Sequence, residues 1–417
     1  MLGKWMSAAM VVGTMVGSGI YLLPTTLAPF GMNLVIAFLL TGFGTMCLAF
    51  ALAQLAARIP GGPFVYVERA FGETAAFLTL WSYVLSQITG VAGVSIAVAG
   101  ALAHVFPVVA SGPGMIAVAL GTIASLVIVN LGGARSAGVL QVSATLIKIV
   151  PLIAVVVLVV VRFGTSQPVQ PLTPVPLGFA AITAAGALML FSLTGFEAAV
   201  VTANVTRDST STVPRATIFG TGFTAIIYLL STVATLLLLP SAVAATSSAP
   251  FADAISPILG PAAGILVALV AAVSAFGTCN ALLLFAAEIS RTIAGARDLP
   301  PVFRKANRAG APVGSLLISA GIAALLVLAS SSKDFVQAYV FITLVSTVNA
   351  LVLYLVCAGA ALKLRATGRW AIVSVIAIFY SFLMFVGSGL KPTLWALVLA
   401  AAGLPVRALS RRLSRHP

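Results

Sequence analysis

The chain has 417 residues, of which 61% are hydrophobic and only 7% charged, and its formal net charge is +14. Soluble domains carry about 25% charged residues, so this composition excludes a soluble enzyme or binding module and predicts a polytopic membrane protein. The sequence contains no Walker loop and no cluster of His, Cys or acidic residues. We therefore expect no cofactor and no metal, and an integral-membrane enzyme is the least favoured alternative.

Apolar stretches long enough to cross a bilayer recur along the whole chain, which predicts an all-α protein of twelve transmembrane helices. They are expected at residues 5–29, 32–56, 73–104, 113–130, 136–161, 180–204, 214–239, 258–289, 312–330, 335–362, 370–388 and 392–408.

The basic residues are distributed unevenly between the two sides of these spans. If the N-terminus is cytoplasmic, only Arg162, Lys333 and Lys391 fall outside and Lys148 lies within a span, so the other 18 of the 22 Lys and Arg face the cytoplasm. This bias predicts a multi-pass protein of the inner membrane with both termini in the cytoplasm. The excess charge then points to anionic lipid as a partner, and not to nucleic acid.

The first span contains a segment that a continuous helix does not favour. Gly13, Gly17 and Gly19 lie close together, and Pro24 follows. Glycine at this density weakens a helix, and unwound backbone inside a membrane is tolerated only beside protein or a water-filled cavity. We predict a broken helix whose free N–H groups face such a cavity, where they could bind a carboxylate.

A second break is predicted in the sixth span, at residues 192–195, and Glu197 follows it. Three roles for Glu197 stay open from the residues alone. It can be a buried carboxyl that ties the broken backbone together, a proton-sensing gate, or a counter-charge for a substrate amine.

Helical rise places several polar residues at a similar depth. Gly17 and Lys148 each lie about 20 Å from a cytoplasmic Lys or Arg, and Glu197 about 15 Å, in a hydrocarbon core about 30 Å thick. Lys148 is either a side chain that reaches an interface or an amine that exchanges a proton during transport. Gln87, Thr278 and Ser346 add polar side chains at mid-span.

With these residues in view, the chain resembles the amino acid–polyamine–organocation superfamily, and within it the basic amino acid/polyamine antiporters, especially those that exchange arginine for agmatine. The resemblance covers nearly the whole chain. It is carried by residues 17–24, 60–72, 195–197, 213–216, 299–303 and 309–313.

The resemblance implies a LeuT-like fold in a single transmembrane domain, residues 1–417. Two inverted repeats of five helices would occupy about residues 5–162 and 180–362, with two further helices at about 370–408, and helices 1 and 6 would be broken. The backbone at Gly17, Ser18 and Gly19 would hold the carboxylate of the substrate. Carbonyls near Phe191 and Thr194 would hold its α-amine.

The sequence also departs from the arginine/agmatine antiporters. Phe191 and Leu282 stand where those proteins have tryptophans, and Thr14 and Val91 where they have asparagines. These changes favour a smaller or more apolar amino acid. The full set of expected substrate-binding residues is Thr14, Gly17, Ser18, Gly19, Gln87, Phe191, Thr194, Gly195, Leu282 and Ser346.

Proton coupling or gating is expected at Lys148, Glu197 and Thr278. By resemblance, the ammonium of Lys148 occupies the space that sodium fills in sodium-coupled relatives. We therefore expect an amino acid transporter that works without Na⁺, by exchange or by proton-linked transport. An arginine/agmatine-type antiporter and a neutral amino acid exporter are the alternatives, and whether the chain forms a homodimer stays open.

Overall fold

The computed structural model describes residues 4–59, 62–132, 147–197, 209–330, 334–364 and 368–413, and within these ranges it contains helices and no strand. The α-helices, in chain order, are α1 Lys4–Met15, α2 Ser18–Leu27, α3 Asn33–Arg58, α4 Gly62–Phe71, α5 Glu73–Val105, α6 Gly112–Leu131, α7 Val150–Gly164, α8 Phe179–Leu193, α9 Ser209–Leu238, α10 Ser241–Ala244, α11 Pro250–Leu259, α12 Pro261–Gly295, α13 Val313–Ala329, α14 Phe335–Lys363, α15 Arg369–Ser388, α16 Leu390–Ala401 and α17 Gly403–Leu413. Short 3₁₀ turns lie at Ala28–Phe30, Pro107–Ala110, Ile147–Ile149 and Pro301–Arg304.

Nine helical segments among the described residues are long and apolar enough to cross a membrane, which confirms the prediction of a polytopic membrane protein. They are Asn33–Arg58, Glu73–Val105, Gly112–Leu131, Ile147–Gly164, Ser211–Leu238, Pro261–Gly295, Phe335–Lys363, Trp370–Ser388 and Leu390–Arg412. The bent pair α1–α2 makes a tenth candidate, while α8 and α13 are apolar but shorter. The count of twelve spans stays a prediction.

Two of the predicted spans, 136–161 and 180–204, run partly outside the described residues. Several basic residues on which the predicted orientation depends also lie outside them, namely Arg135, Arg207, Lys333, Arg365 and Arg415. The cytoplasmic placement of the termini therefore stays a prediction.

Helix α5 lies at the centre of the molecule. In its most apolar stretch 78% of the residues are buried, compared with 22% in Leu390–Arg412. It packs along α12 and α14, and glycines such as Gly90 and Gly93 let side chains of the neighbouring helices approach within van der Waals contact. Small residues at such contacts allow close helix packing where lipid offers no hydrophobic driving force.

The first predicted break is present in the structure. Helix α1 ends at Met15 and α2 begins at Ser18, and the two axes bend by 45°. The carbonyl of Met15 accepts a 2.6 Å hydrogen bond from the Tyr228 hydroxyl of α9. A neighbouring helix thus satisfies a backbone group that the break releases, as a membrane interior requires.

The second break follows α8, which ends at Leu193. Thr194 is extended, and Gly195 has a φ of +109°. This conformation suits glycine because it lacks a Cβ.

One end of the molecule carries a network of ion pairs, and we call it the basic end. Arg407 of α17 donates to buried Asp298 at 2.9 Å, and Arg411 contacts both Asp298 and Glu73, the first residue of α5. Because α4 connects the end of α3 to the start of α5, Arg58 lies at this end too.

Candidate functional site

A cavity with an empty volume of about 550 Å³ lies between the two helix breaks. Its walls come from the α1–α2 break, the end of α8, and the middles of α5 and α12. It is lined by Thr14, Met15, Gly17, Gly19, Gln87, Phe191, Ser192, Thr194, Gly195, Glu197, Thr278, Ala281, Leu282 and Phe285.

The N-terminus of α2 opens onto this cavity without a side-chain cap. The first N–H groups of a helix have no partner inside it and carry partial positive charge, so this end can bind an anion.

Glycine is required here for packing. A Cβ on Gly19 would lie 2.7 Å from the Cα of Ser192, and one on Gly17 would overlap the side chain of Thr278. Substitution of Gly19 would therefore push α2 away from α8 as well as alter the cavity.

Thr14 links the two breaks directly. Its hydroxyl lies 3.0 Å from the carbonyl of Gly195 and 2.9 Å from that of Val11. Thr194 turns its own hydroxyl back to the carbonyl of Phe191 at 2.7 Å, and its N–H reaches the same oxygen at 3.3 Å. Because a carbonyl has two lone pairs, the Phe191 oxygen is already fully used.

Glu197 lies at the end of the unwound segment that follows α8 and holds it to neighbouring helices. Its carboxylate accepts hydrogen bonds from the Tyr83 hydroxyl at 2.6 Å, the Tyr354 hydroxyl at 3.3 Å and the backbone N–H of Gly195 at 3.1 Å. These contacts tie α5 and α14 to the break after α8. They also place a carboxyl group, 8% exposed, in the cavity wall.

Gln87 presents an unusual polar group. The side chain is 5% exposed and lines the cavity, and its amide oxygen has no hydrogen-bond partner among the described residues. A buried polar atom without a partner is costly, by about 1–3 kcal/mol. The oxygen therefore has the capacity to accept one more hydrogen bond at the cavity wall.

Lys148 does not line this cavity. It lies in the 3₁₀ turn Ile147–Ile149, which packs against α12. Its carbonyl accepts a 2.6 Å hydrogen bond from the Tyr21 hydroxyl. Its ammonium is buried and has no partner among the described residues, and the same holds for the hydroxyl of Ser274 in α12.

The structure thus brings ten of the expected site residues to one cavity: Thr14, Gly17, Gly19, Gln87, Phe191, Thr194, Gly195, Glu197, Thr278 and Leu282. Ser346 does not line it, and its hydroxyl donates to the carbonyl of Ser86 at 2.8 Å. The side chain of Ser18 is outside the described part of the chain.

Four lining residues escaped prediction, Met15, Ser192, Ala281 and Phe285. Phe285 is three residues after Leu282 and so shares its helix face. That spacing is the signal that could have found it.

Comparisons with known proteins identify the family of the chain. Residues 2–404 match the family described as amino acid permease. The chain is 30% identical to a putative arginine/ornithine antiporter of Bacillus subtilis, over 92% of this chain and 91% of that protein.

Two further relatives are named as transporters of diamines. A putrescine transporter of Haemophilus influenzae is 26% identical over 93% of this chain and 92% of its own length. A cadaverine/lysine antiporter of Escherichia coli is 28% identical over 76% of this chain and 72% of its own length. The chain therefore belongs to the amino acid permease family, among the basic amino acid and polyamine antiporters, as the sequence resemblance predicts.

Proposed function

We propose that this protein exchanges L-amino acids across the inner membrane by alternating access and without Na⁺. The observation that carries the proposal is the cavity between the two breaks, into which the uncapped N-terminus of α2 opens. Two breaks joined by Thr14 and Gly195 can rearrange together when substrate fills the space between them.

The α-carboxylate of the substrate binds at the start of α2, where the helix has no side-chain cap and Gly17 and Gly19 line the cavity. Its α-amine binds the amide oxygen of Gln87 and the carbonyl end of α8. Within that last turn the Phe191 oxygen is occupied by Thr194, and Ser192 is the next residue of the turn that lines the cavity.

The side chain of the substrate meets an apolar wall formed by Phe191, Leu282 and Phe285. An apolar pocket separates side chains by only about 1–3 kcal/mol per methylene, so several neutral amino acids of moderate size compete for it.

A basic amino acid or a diamine is the second candidate. The names of the relatives and the carboxyl group of Glu197 in the cavity wall favour it. Against it, the Glu197 carboxylate already accepts three hydrogen bonds, which reduces its capacity to bind a substrate cation.

The architecture that goes with this function is a single domain of twelve transmembrane helices, with inverted repeats at about residues 5–162 and 180–362. The positions of the two breaks support it, because each lies in the first helix of its repeat. Lys148 supplies the positive charge that replaces a sodium ion.

Substrate exchange into proteoliposomes tests the proposal. Vesicles loaded with unlabelled alanine, leucine, ornithine or putrescine are assayed for uptake of external radiolabelled leucine and, in parallel, of external radiolabelled ornithine. We expect neutral amino acids to drive uptake and choline to replace Na⁺ without effect. Exchange driven only by ornithine or putrescine would support the second candidate, and no exchange with any of them would contradict both.

The variant Gln87→Leu tests whether the cavity between the breaks is the substrate site. It should weaken substrate binding by about tenfold or more, since a charge-assisted hydrogen bond is lost. Asn349→Leu is the matched control, because Asn349 is also a buried amide with an unpartnered oxygen but does not line the cavity.

A further inference from the structure

A second cavity lies at the basic end of the molecule, and it shares no lining residue with the cavity between the helix breaks. Its empty volume is about 470 Å³, and it is formed by the last turns of α3, the end of α14 and the start of α15. Its walls are mainly apolar, and its polar groups include Gln54 and Arg58. We call it the basic-end cleft.

Two stacked aromatic rings form one wall of the basic-end cleft. Phe50 and Trp370 lie with their ring centroids 4.6 Å apart and nearly parallel. Phe50 precedes Arg58 by eight residues, which is about 12 Å along the helix. The cleft therefore extends from a charged helix end toward the apolar interior, and an indole at such a boundary is typical of the membrane interface.

The charge of the cleft is positive and uncompensated. Arg58 is exposed and forms no ion pair or hydrogen bond with any described residue, and no acidic residue lines the cleft. Lys363 at the end of α14 does not line the cleft, because its ammonium lies over the ring of Phe71, 5.1 Å from the centroid. By contrast, Arg407 and Arg411 at the same end are neutralised by Asp298 and Glu73.

A ligand that fits must be anionic at one end and apolar along about two helical turns. A membrane phospholipid has this form, and basic pockets between transmembrane helices bind anionic headgroups. We propose that the basic-end cleft binds one anionic phospholipid, whose phosphate contacts Arg58 and Gln54 and whose acyl chain lies against Phe50 and Trp370.

Native mass spectrometry of the full chain tests this proposal. The protein is released from nanodiscs of phosphatidylcholine that contain phosphatidylglycerol as the minority lipid. We expect one phosphatidylglycerol to stay bound in preference to phosphatidylcholine. Arg58→Gln should lower its retention by about fivefold, because one interfacial cation is lost.

Two further variants sharpen the result. Arg304→Gln removes another exposed arginine that lines none of the described cavities, and it should retain the lipid. Trp370→Leu removes half of the aromatic wall and should lower retention without altering the preference for the anionic headgroup.

Three outcomes would overturn the proposal: equal retention of both lipids, equal loss in Arg58→Gln and Arg304→Gln, or displacement of the lipid by millimolar inorganic phosphate. The last would show a site for a soluble anion. Amino acid exchange is a separate measurement, so failure here leaves the transport proposal unaffected.

Discussion

The hydroxyl of Thr14 lies 3.0 Å from the carbonyl of Gly195, and this one hydrogen bond joins the two helix breaks across 181 residues of sequence. Both partners line the central cavity. If substrate binds there as proposed, it contacts both breaks at once, and this bond would couple the conformation of one break to that of the other.

Thr14→Val should slow exchange while preserving the shape of the site. The methyl group keeps the volume, but the Gly195 carbonyl loses a donor, which costs about 1–3 kcal/mol in a buried position. We expect a fall in exchange rate of about tenfold at saturating substrate, measured in proteoliposomes.

Thr232→Val is the control for Thr14→Val. The Thr232 hydroxyl is buried in α9 but has no hydrogen-bond partner among the described residues, so its loss breaks no bond. Equal rates in the two variants would contradict the coupling of the breaks through Thr14.

Leu282→Trp should move selectivity toward cationic substrates. The new ring would add a π face to the cavity wall beside Phe285, and a cation over an aromatic face gains about 0.5–2 kcal/mol. The affinity ratio of ornithine to leucine should therefore rise by about two- to thirtyfold, read from competition for radiolabelled substrate.

On the side away from the cavity, the Leu282 side chain packs against Gly90, where an added Cβ would lie 3.1 Å from one of its methyl groups. Leu282→Met conserves volume and should leave the ratio unchanged. An unchanged ratio in Leu282→Trp would mean that substrate side chains do not reach this wall.

Lys148→Met should slow conformational exchange more than it weakens binding. The ammonium is buried in the turn that packs against α12 and lies off the central cavity. The rate of exchange and its dependence on pH should change, while the binding constant for substrate should move by less than about threefold.

Lys305→Met, on an exposed surface, is the control for this variant. Uptake with Na⁺ replaced by choline completes the test. Strict dependence of the parent protein on Na⁺ would contradict the role assigned to Lys148, as would a variant with an unaltered rate and pH profile.

Asp298→Asn should destabilise the basic end strongly. The Asp298 and Arg407 side chains are 2% and 8% exposed, and removal of one partner from a buried pair costs about 3–5 kcal/mol because the other charge is left in place. We expect a clear fall in the thermal unfolding temperature of the detergent-purified protein.

Glu288→Gln provides the comparison. Its pair with Arg291 is 35% and 45% exposed, and exposed pairs contribute about 0–1 kcal/mol. A loss of stability in Glu288→Gln as large as in Asp298→Asn would show that burial does not set the strength of these pairs.

Much of the candidate site was predictable from local sequence. Gly17, Gly19 and the Thr194–Gly195 step break their helices because of intrinsic backbone preference, and helical rise brought both breaks to one depth. Phe191 and Leu282 followed from the family resemblance. All of these line the cavity in the structure.

Other residues could not be placed without tertiary contacts. Ser346 has the same depth and polarity as Gln87, yet its hydroxyl bonds to Ser86 while Gln87 lines the cavity. Which side of a buried helix faces a cavity depends on its neighbours, and a helix apolar on all sides carries no periodicity that reveals it.

The sequence by itself determined the class of protein, its family and the location of both helix breaks, because these depend on composition, on span length and on backbone preferences that act locally. Only the tertiary structure decided which groups meet: Thr14 with Gly195, Glu197 with Tyr83, and Arg407 with Asp298. Each of these contacts joins residues more than a hundred positions apart, and such a contact depends on how the helices pack against one another.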